Sequence, residues 1–216
     1  MVPTHLLVIR LSAMGDVAMT VPVLRVVAAT YPIVKLTVLS RKKFKPFFDD
    51  IPNLVFFDAE VEEKYKGITG LLKLANAVKA TQIDAVADLH NVLRSKTITA
   101  TLSLQGIKTA TINKGRSAKR ALTRANNKKF EPLESTHQRY ADVFEKLGFP
   151  VNLDDHLFPK RRNWNPTLRD TIGQHPGKLI GIAPFAAFDS KVYPLPLMEK
   201  VISHFNASGS YRIVLF

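Results

Sequence analysis

The chain contains no cysteine. That excludes disulfide scaffolds, cysteine–zinc sites and thiol nucleophiles, and it agrees with a reducing compartment. No uncharged apolar run approaches the about 18 residues of a membrane-spanning helix. The opening residues, Met1-Val-Pro-Thr-His5, lack a basic leader, and Asp16 interrupts the apolar stretch that follows, so no signal peptide is expected. The dinucleotide fingerprint G-x-G-x-x-G and the P-loop are both missing. Acids are scarce: 18 Asp and Glu stand against 31 Lys and Arg, a net charge of +13. A surplus of that size points to an anionic partner, whether nucleic acid, an anionic lipid surface or a phosphorylated small molecule.

The surplus has an address. Between Leu89 and Phe130 there is no acid at all, against ten bases: Arg94, Lys96, Lys108, Lys114, Arg116, Lys119, Arg120, Arg124, Lys128 and Lys129. A second, short cluster is Lys160, Arg161 and Arg162. The basic stretch reads either as a solvated face with a mobile loop or as an electropositive wall facing a phosphorylated ligand. A nucleic-acid-binding module has little support: no RRM, KH, helix-turn-helix or zinc signature is present, and aromatics are not interleaved with the bases.

Apolar residues make up 46% of the chain, enough for a real core. Short continuous apolar runs, as in strands buried on both faces, occur at 5–11, 34–40, 54–58, 83–88 and 109–112. Helical spacing predicts helices at about 17–30, 68–81 and 92–104, with a short one at 42–48, while 114–129 is basic and less regular. Ser135 and Gln138 form a capping box for a helix that Gly148 stops. This alternation means βαβ units and a mostly parallel sheet, the α/β class. Residues 156–177 are proline-rich and irregular and read as a connection between a domain of residues 1–155 and the start of a second at 178–216. That second part predicts a strand, a helix at 196–206 and a strand at 211–216. A single βαβ unit is not a complete domain, so the expectation is a chain cut inside its second α/β domain.

Two segments carry candidate chemistry. Arg10-Leu-Ser-Ala-Met-Gly-Asp-Val17 lies outside the carboxyl end of the first strand, where doubly wound folds place their ligands. It presents Asp16 either as a helix cap or as a general base, since a carboxylate ionised at pH 7 can accept a proton from an attacking alcohol. In the second, Gly181–Pro194, Lys191 follows a small-residue loop; it is either solvated and paired with Asp189 or aimed at a phosphate.

Together these segments resemble the family 9 glycosyltransferases, the ADP-heptose:lipopolysaccharide heptosyltransferases. The resemblance is carried by Leu7–Leu24 with its Ser-x-x-Gly-Asp and Pro-x-Leu, by Asp88-Leu-His-Asn-Val-Leu-Arg-Ser95, by His137, and by Pro184-Phe-Ala-Ala with Lys191 and Tyr193-Pro194, where Trp-Pro is more usual. It implies a GT-B enzyme: a Rossmann-like acceptor domain, and a second Rossmann-like domain for the nucleotide-sugar that is truncated here after its first βαβ unit. It implies inverting transfer of a heptose or similar sugar to the anionic lipopolysaccharide inner core, without a metal or other cofactor. In that reading Asp16 is the catalytic base, Lys191 and Gly15 bind the donor phosphates, and Ser12, His90, Arg94, Lys96, Arg116 and Arg120 bind the acceptor. It further implies a cytoplasmic protein, peripheral at the inner membrane of a Gram-negative cell, and inactivity of the shortened chain alone. The alternatives are the nucleic-acid module and another Rossmann-fold enzyme, which the missing phosphate glycines disfavour.

Overall fold

The computed structural model describes residues 3–156, 158–159, 165–173, 177–186 and 188–216. The Lys160, Arg161 and Arg162 cluster and Ala187 of the second loop lie outside the described residues. The chain divides into two compact units, Met1–Phe158 and Pro159–Phe216.

The first unit is built on five parallel strands, β1 (His5–Ile9), β2 (Lys35–Ser40), β3 (Leu54–Asp58), β4 (Ala85–Asp88) and β5 (Lys108–Thr111), in the order β3-β2-β1-β4-β5. Period-two geometry explains why β1 is apolar throughout. Leu6 and Val8 point into one core cluster, while Leu7 and Ile9 point into the other. One face is covered by α1 (Met14–Ala18), α2 (Thr20–Thr30) and α6 (Thr136–Leu147), through Val23, Leu24, Val27, Val143, Phe144 and Leu147. The other is covered by α3 (Gly67–Lys79) and α4 (Leu93–Leu104), through Leu71, Leu74, Val78, Ile98 and Leu102.

Local chemistry sets the element ends. The helix expected at 17–30 is broken into α1 and α2. Pro22 has no N–H to offer, and its ring crowds the carbonyl four residues back, that of Ala18, where α1 ends. The Thr20 hydroxyl donates instead to the Val17 carbonyl at 2.7 Å. At α6 the Ser135 Oγ accepts the Gln138 N–H at 3.1 Å, and Gly148, at φ 101°, takes the left-handed position that ends the helix. The basic segment, expected to be less regular but with a helical rhythm of Arg116, Lys119, Arg120 and Arg124 as a basic stripe, contains a helix, α5 (Arg116–Thr123), which has no buried residue.

The second unit contains α7 (Pro166–Ile172) and one βαβ unit, β6 (Lys178–Ile182), α8 (Leu195–Ala207) and β7 (Tyr211–Leu215), with the two strands parallel. No residue of β6, α8 or β7 is buried, in contrast to the double-sided burial of β1. A short 3₁₀ turn, Asp189–Lys191, precedes α8.

Candidate functional site

The strand order reverses at β1. The chain runs outward from β1 through β2 to β3, then returns to β4 on the other side of β1 and continues to β5. Ligands of open α/β sheets bind in the crevice at such a switch point, outside the carboxyl ends of the strands. Here the crevice is flanked by the segment after β1, carrying Arg10 to Asp16, and the segment after β4, carrying Leu89 to Ser95.

Arg10 organises the first flank. Its side chain is buried, and one terminal nitrogen donates to the Leu89 carbonyl at 2.7 Å. The other terminal nitrogen pairs with Asp16 Oδ2 at 2.6 Å. The guanidinium also sits 6.0 Å from the centre of the Tyr140 ring, a cation–π distance. The Tyr140 hydroxyl donates to the Asp16 carbonyl at 3.3 Å, tying α1 to α6. Asp16 itself is not the helix cap. Ala13 holds that position, and Asp16 lies in the first turn, with its Oδ2 only 3.4 Å from the Ala13 N–H as a secondary contact. Half of the Asp16 side chain is exposed, and its partners engage Oδ2, so Oδ1 makes no hydrogen bond or ion pair among the described residues.

Asp88 organises the second flank. It is fully buried at the end of β4. Its Oδ1 accepts the main-chain N–H groups of His90 and Asn91, each at 2.9 Å, and its Oδ2 accepts the Ser95 hydroxyl at 3.1 Å. Asn91 adopts a left-handed φ of 50°, and its side-chain amide donates to the Ile112 carbonyl at 2.8 Å. This turn packs the His90 ring into the interior, 7% exposed, with no hydrogen-bond partner on its buried Nδ1.

Burial, reinforced by the charges of Arg10 and Lys114, pushes His90 down to about 4. Burial, with Arg10 and Arg116 adding, also lowers Lys114, and burial raises Tyr140. The His90 shift has a measurable consequence. In the unfolded chain a histidine takes its proton near pH 6.5; in the folded chain His90 does so near 4. Protons therefore favour the unfolded state, and stability present above pH 6.5 is lost as pH falls toward 4. The expected loss is on the order of 2 kcal/mol after discounting for solvent screening. Urea midpoints at pH 7.5 and 4.5 should differ more for the parent chain than for His90→Gln; an equal difference in both would remove His90 as the cause.

The other predicted site residues are distributed as follows. Ser12 is half-buried between β1 and α1. Gly15 is exposed, and a Cβ added there would meet nothing within 4 Å, so the protein's own packing does not demand glycine. Arg94 and Lys96 are exposed on the first turn of α4, which begins at the same edge of the sheet. Arg116 and Arg120 are exposed on α5, and Arg124, read as part of the same stripe, is its extended C-terminal cap. Lys191 is exposed in the second unit. Its ammonium lies 5.5 Å over the Phe188 ring and makes no ion pair with Asp189 among the described residues. The structure thus gathers Ser12, Gly15, Asp16 and His90 around one switch point, with α4 opening beside them. It also adds Arg10 and Tyr140, which sequence reading missed. The available signal was an arginine closing an otherwise apolar strand run, six residues before the aspartate.

Among the described residues no group of three or more His, Cys, Asp or Glu stands ready to hold a metal ion, and no helix is long and apolar enough to cross a membrane.

The architecture is α/β of the GT-B type, with a five-stranded parallel sheet in the first unit and one βαβ unit in the second. No protein-family model and no curated protein sequence matches the chain. Solved structures do. A glycosyl transferase family 9 protein from Veillonella parvula matches with a TM-score of 0.72 at 20% identity, over 99% of this chain and 62% of its own. The E. coli heptosyltransferase WaaC matches with a TM-score of 0.60 at 16% identity, over 98% of this chain, in structures with ADP-2-deoxy-2-fluoro heptose and with ADP. The alignments cover 68% and 67% of the WaaC chains. The resemblance to family 9 read from the motifs therefore holds at the level of the fold, and the chain spans 62% of the length of the Veillonella protein.

Proposed function

We propose that the protein is an inverting glycosyltransferase that moves a heptose, or a similar sugar, from a nucleoside-diphosphate donor to the anionic inner core of lipopolysaccharide. One observation supports this most. In a fold shared with family 9 structures, a half-exposed carboxylate, Asp16, stands at the switch point with one oxygen held by a buried arginine and the other uncommitted.

In this reading Asp16 is the general base. It takes the proton of the acceptor hydroxyl as that oxygen attacks the anomeric carbon, and the nucleoside diphosphate leaves from the opposite face of the sugar. Arg10 holds the carboxylate by its inner oxygen, so the free oxygen is presented to the hydroxyl without a search over rotamers. Lys191 offsets the charge growing on the departing diphosphate, the role a metal ion plays in other transferases. Gly15 leaves open space beside the α1 turn for close approach of a phosphate. The bases of α4 and α5, Arg94, Lys96, Arg116 and Arg120, attract the phosphates and carboxylates of the acceptor, and arginine suits them because its planar fork binds two oxygens. On this proposal the enzyme would work in the cytoplasm, peripheral at the inner membrane of a Gram-negative cell, with no nucleic acid as partner.

The test is transfer itself. In a version extended to the length of the family 9 structures, ADP-heptose and a deacylated inner-core acceptor should give a product whose new glycosidic bond has the anomeric configuration opposite to the donor's, at a rate unaffected by EDTA. Retention of configuration, or loss of the rate with EDTA, would refute the mechanism as stated.

A further inference from the structure

Three strands leave the sheet side by side at the switch point. Ile9 of β1 is in register with Asp88 of β4, and Asp88 with Thr111 of β5. The residues just beyond, Arg10, His90 and Lys114, therefore emerge at one edge. Two of them carry buried nitrogens with no partner, His90 Nδ1 and Arg10 Nε, and both residues are more than nine-tenths buried. Orphaned polar atoms of this kind are rare in native proteins and call for a ligand or an ordered water. Lys114 is half-buried and makes no hydrogen bond or ion pair among the described residues.

Of the carboxylates nearby, Asp88 is committed through both oxygens and Asp16 through Oδ2 alone. Asp88 is used by two main-chain N–H groups and Ser95, and Asp16 by Arg10. Farther out, Arg41 pairs with Glu62 and Arg139 with Glu134. Burial first, then Arg10 and Arg116, disfavour the Lys114 cation, and Asp88 and Asp16 offset them only in part. The arrangement is a sheet edge with buried nitrogens left unpartnered and more positive than negative charge around it.

We propose that Lys114, with the His90 imidazole and the Arg10 guanidinium beside it, forms a subsite for an oxyanion, a phosphate or carboxylate carried by the acceptor next to its attacking hydroxyl. The oxyanion takes a charge-assisted bond from the Lys114 ammonium, the Nδ1–H of His90 in that tautomer, and the Arg10 Nε–H. Its position beside Asp16 makes it a register mark: it selects which hydroxyl of a multiply hydroxylated acceptor meets the base. Assignment of the oxyanion to the acceptor rests on the transferase reading; the binding of an oxyanion does not.

Both parts are tested on the protein as it stands, by following the His90 ring resonance, identified by its loss in His90→Gln, during titration with inorganic phosphate against a chloride control of equal ionic strength. The groups acting on His90 are Arg10, Lys114, Asp16 and Arg41. A bound anion added to them favours the imidazolium. The expected result is a saturable shift and a His90 titration midpoint raised by about one pH unit or more from its value near 4. Lys114→Met, which removes no hydrogen bond and should fold, weakens phosphate binding about tenfold or more, while Lys114→Arg keeps most of it. A shift that fails to saturate, or one equal in Lys114→Met, overturns the subsite. Displacement by glucuronate but not by ADP supports a carboxylate on the acceptor; displacement by neither supports a phosphate there. Displacement by ADP at the affinity of phosphate overturns the acceptor assignment. Phosphate binding, with no sugar transfer by a version extended to the length of the family 9 structures, leaves the subsite standing and removes the transferase reading.

Discussion

In a version extended to the length of the family 9 structures, Asp16→Asn is expected to slow sugar transfer by roughly 10²–10⁴-fold, the usual contribution of general-base assistance. Asparagine is nearly the same shape, and its amide oxygen can still accept the Arg10 guanidinium that holds Asp16 Oδ2 at 2.6 Å. The geometry of the α1 turn therefore survives, and what disappears is the ability to take a proton. The loss should fall on kcat, with the donor KM little changed, because the proton moves only in the transition state. Steady-state transfer at saturating donor and acceptor measures it. Turnover near the parent rate would remove Asp16 from the mechanism, and a change confined to KM would make it a binding residue. Arg10 has the opposite weighting. It touches the base and the Leu89 carbonyl, so its loss would disturb the turn as well as the chemistry, and Asp16→Asn is the cleaner probe.

The second large effect is structural. Asp88→Ala is expected to cost about 3–5 kcal/mol of folding stability. Asp88 is fully buried and satisfies three donors, the N–H groups of His90 and Asn91 and the Ser95 hydroxyl. Alanine leaves the two N–H groups without an acceptor in a place water reaches poorly, each costing about 1–3 kcal/mol, and the Ser95 hydroxyl falls back on the Val92 carbonyl at 3.1 Å. Asp88→Asn keeps the oxygen that serves the two N–H groups and loses only the Ser95 contact, so its cost should be about a third of that. Urea unfolding of both variants gives the comparison. Equal costs would mean that the β4–α4 turn is held by Asn91 and its bond to Ile112 rather than by Asp88.

Much of the first unit is legible in order along the chain. The five apolar runs become five strands because a parallel strand covered on both faces must be apolar at every position, and such runs have few other uses. The α3 spacing of Leu71, Leu74, Ala75 and Val78 becomes a buried stripe. Errors fall where local rules compete. Pro22 near the start of a helical run reads as tolerated, yet its effect reaches back one turn and splits the helix at Met19. The α5 segment reads as less regular because only its basic residues carry a helical rhythm and no apolar stripe faces the core, and in the structure the helix stands exposed.

The site was legible in a different way. Asp16 and Gly15 follow the first strand closely enough that sequence alone places them at a sheet edge. His90 is visible as a residue just past the fourth strand. What sequence order cannot show is that these two edges are neighbours. That follows from β4 pairing with β1 rather than with β3, a decision made by long-range packing on both faces of the sheet.

The sequence by itself determined the class of fold, the acid-free basic stretch and the presence of a carboxylate after β1. These depend on local periodicity and composition, which each segment carries alone. Tertiary structure decided that Arg10 belongs to Asp16, that Tyr140 from a helix 124 residues later braces the same turn, and that the carboxyl edges of β1, β4 and β5 converge on Lys114. Those pairings are long-range: burial brings groups far apart in the chain within hydrogen-bond reach, and removes the water that would otherwise separate them.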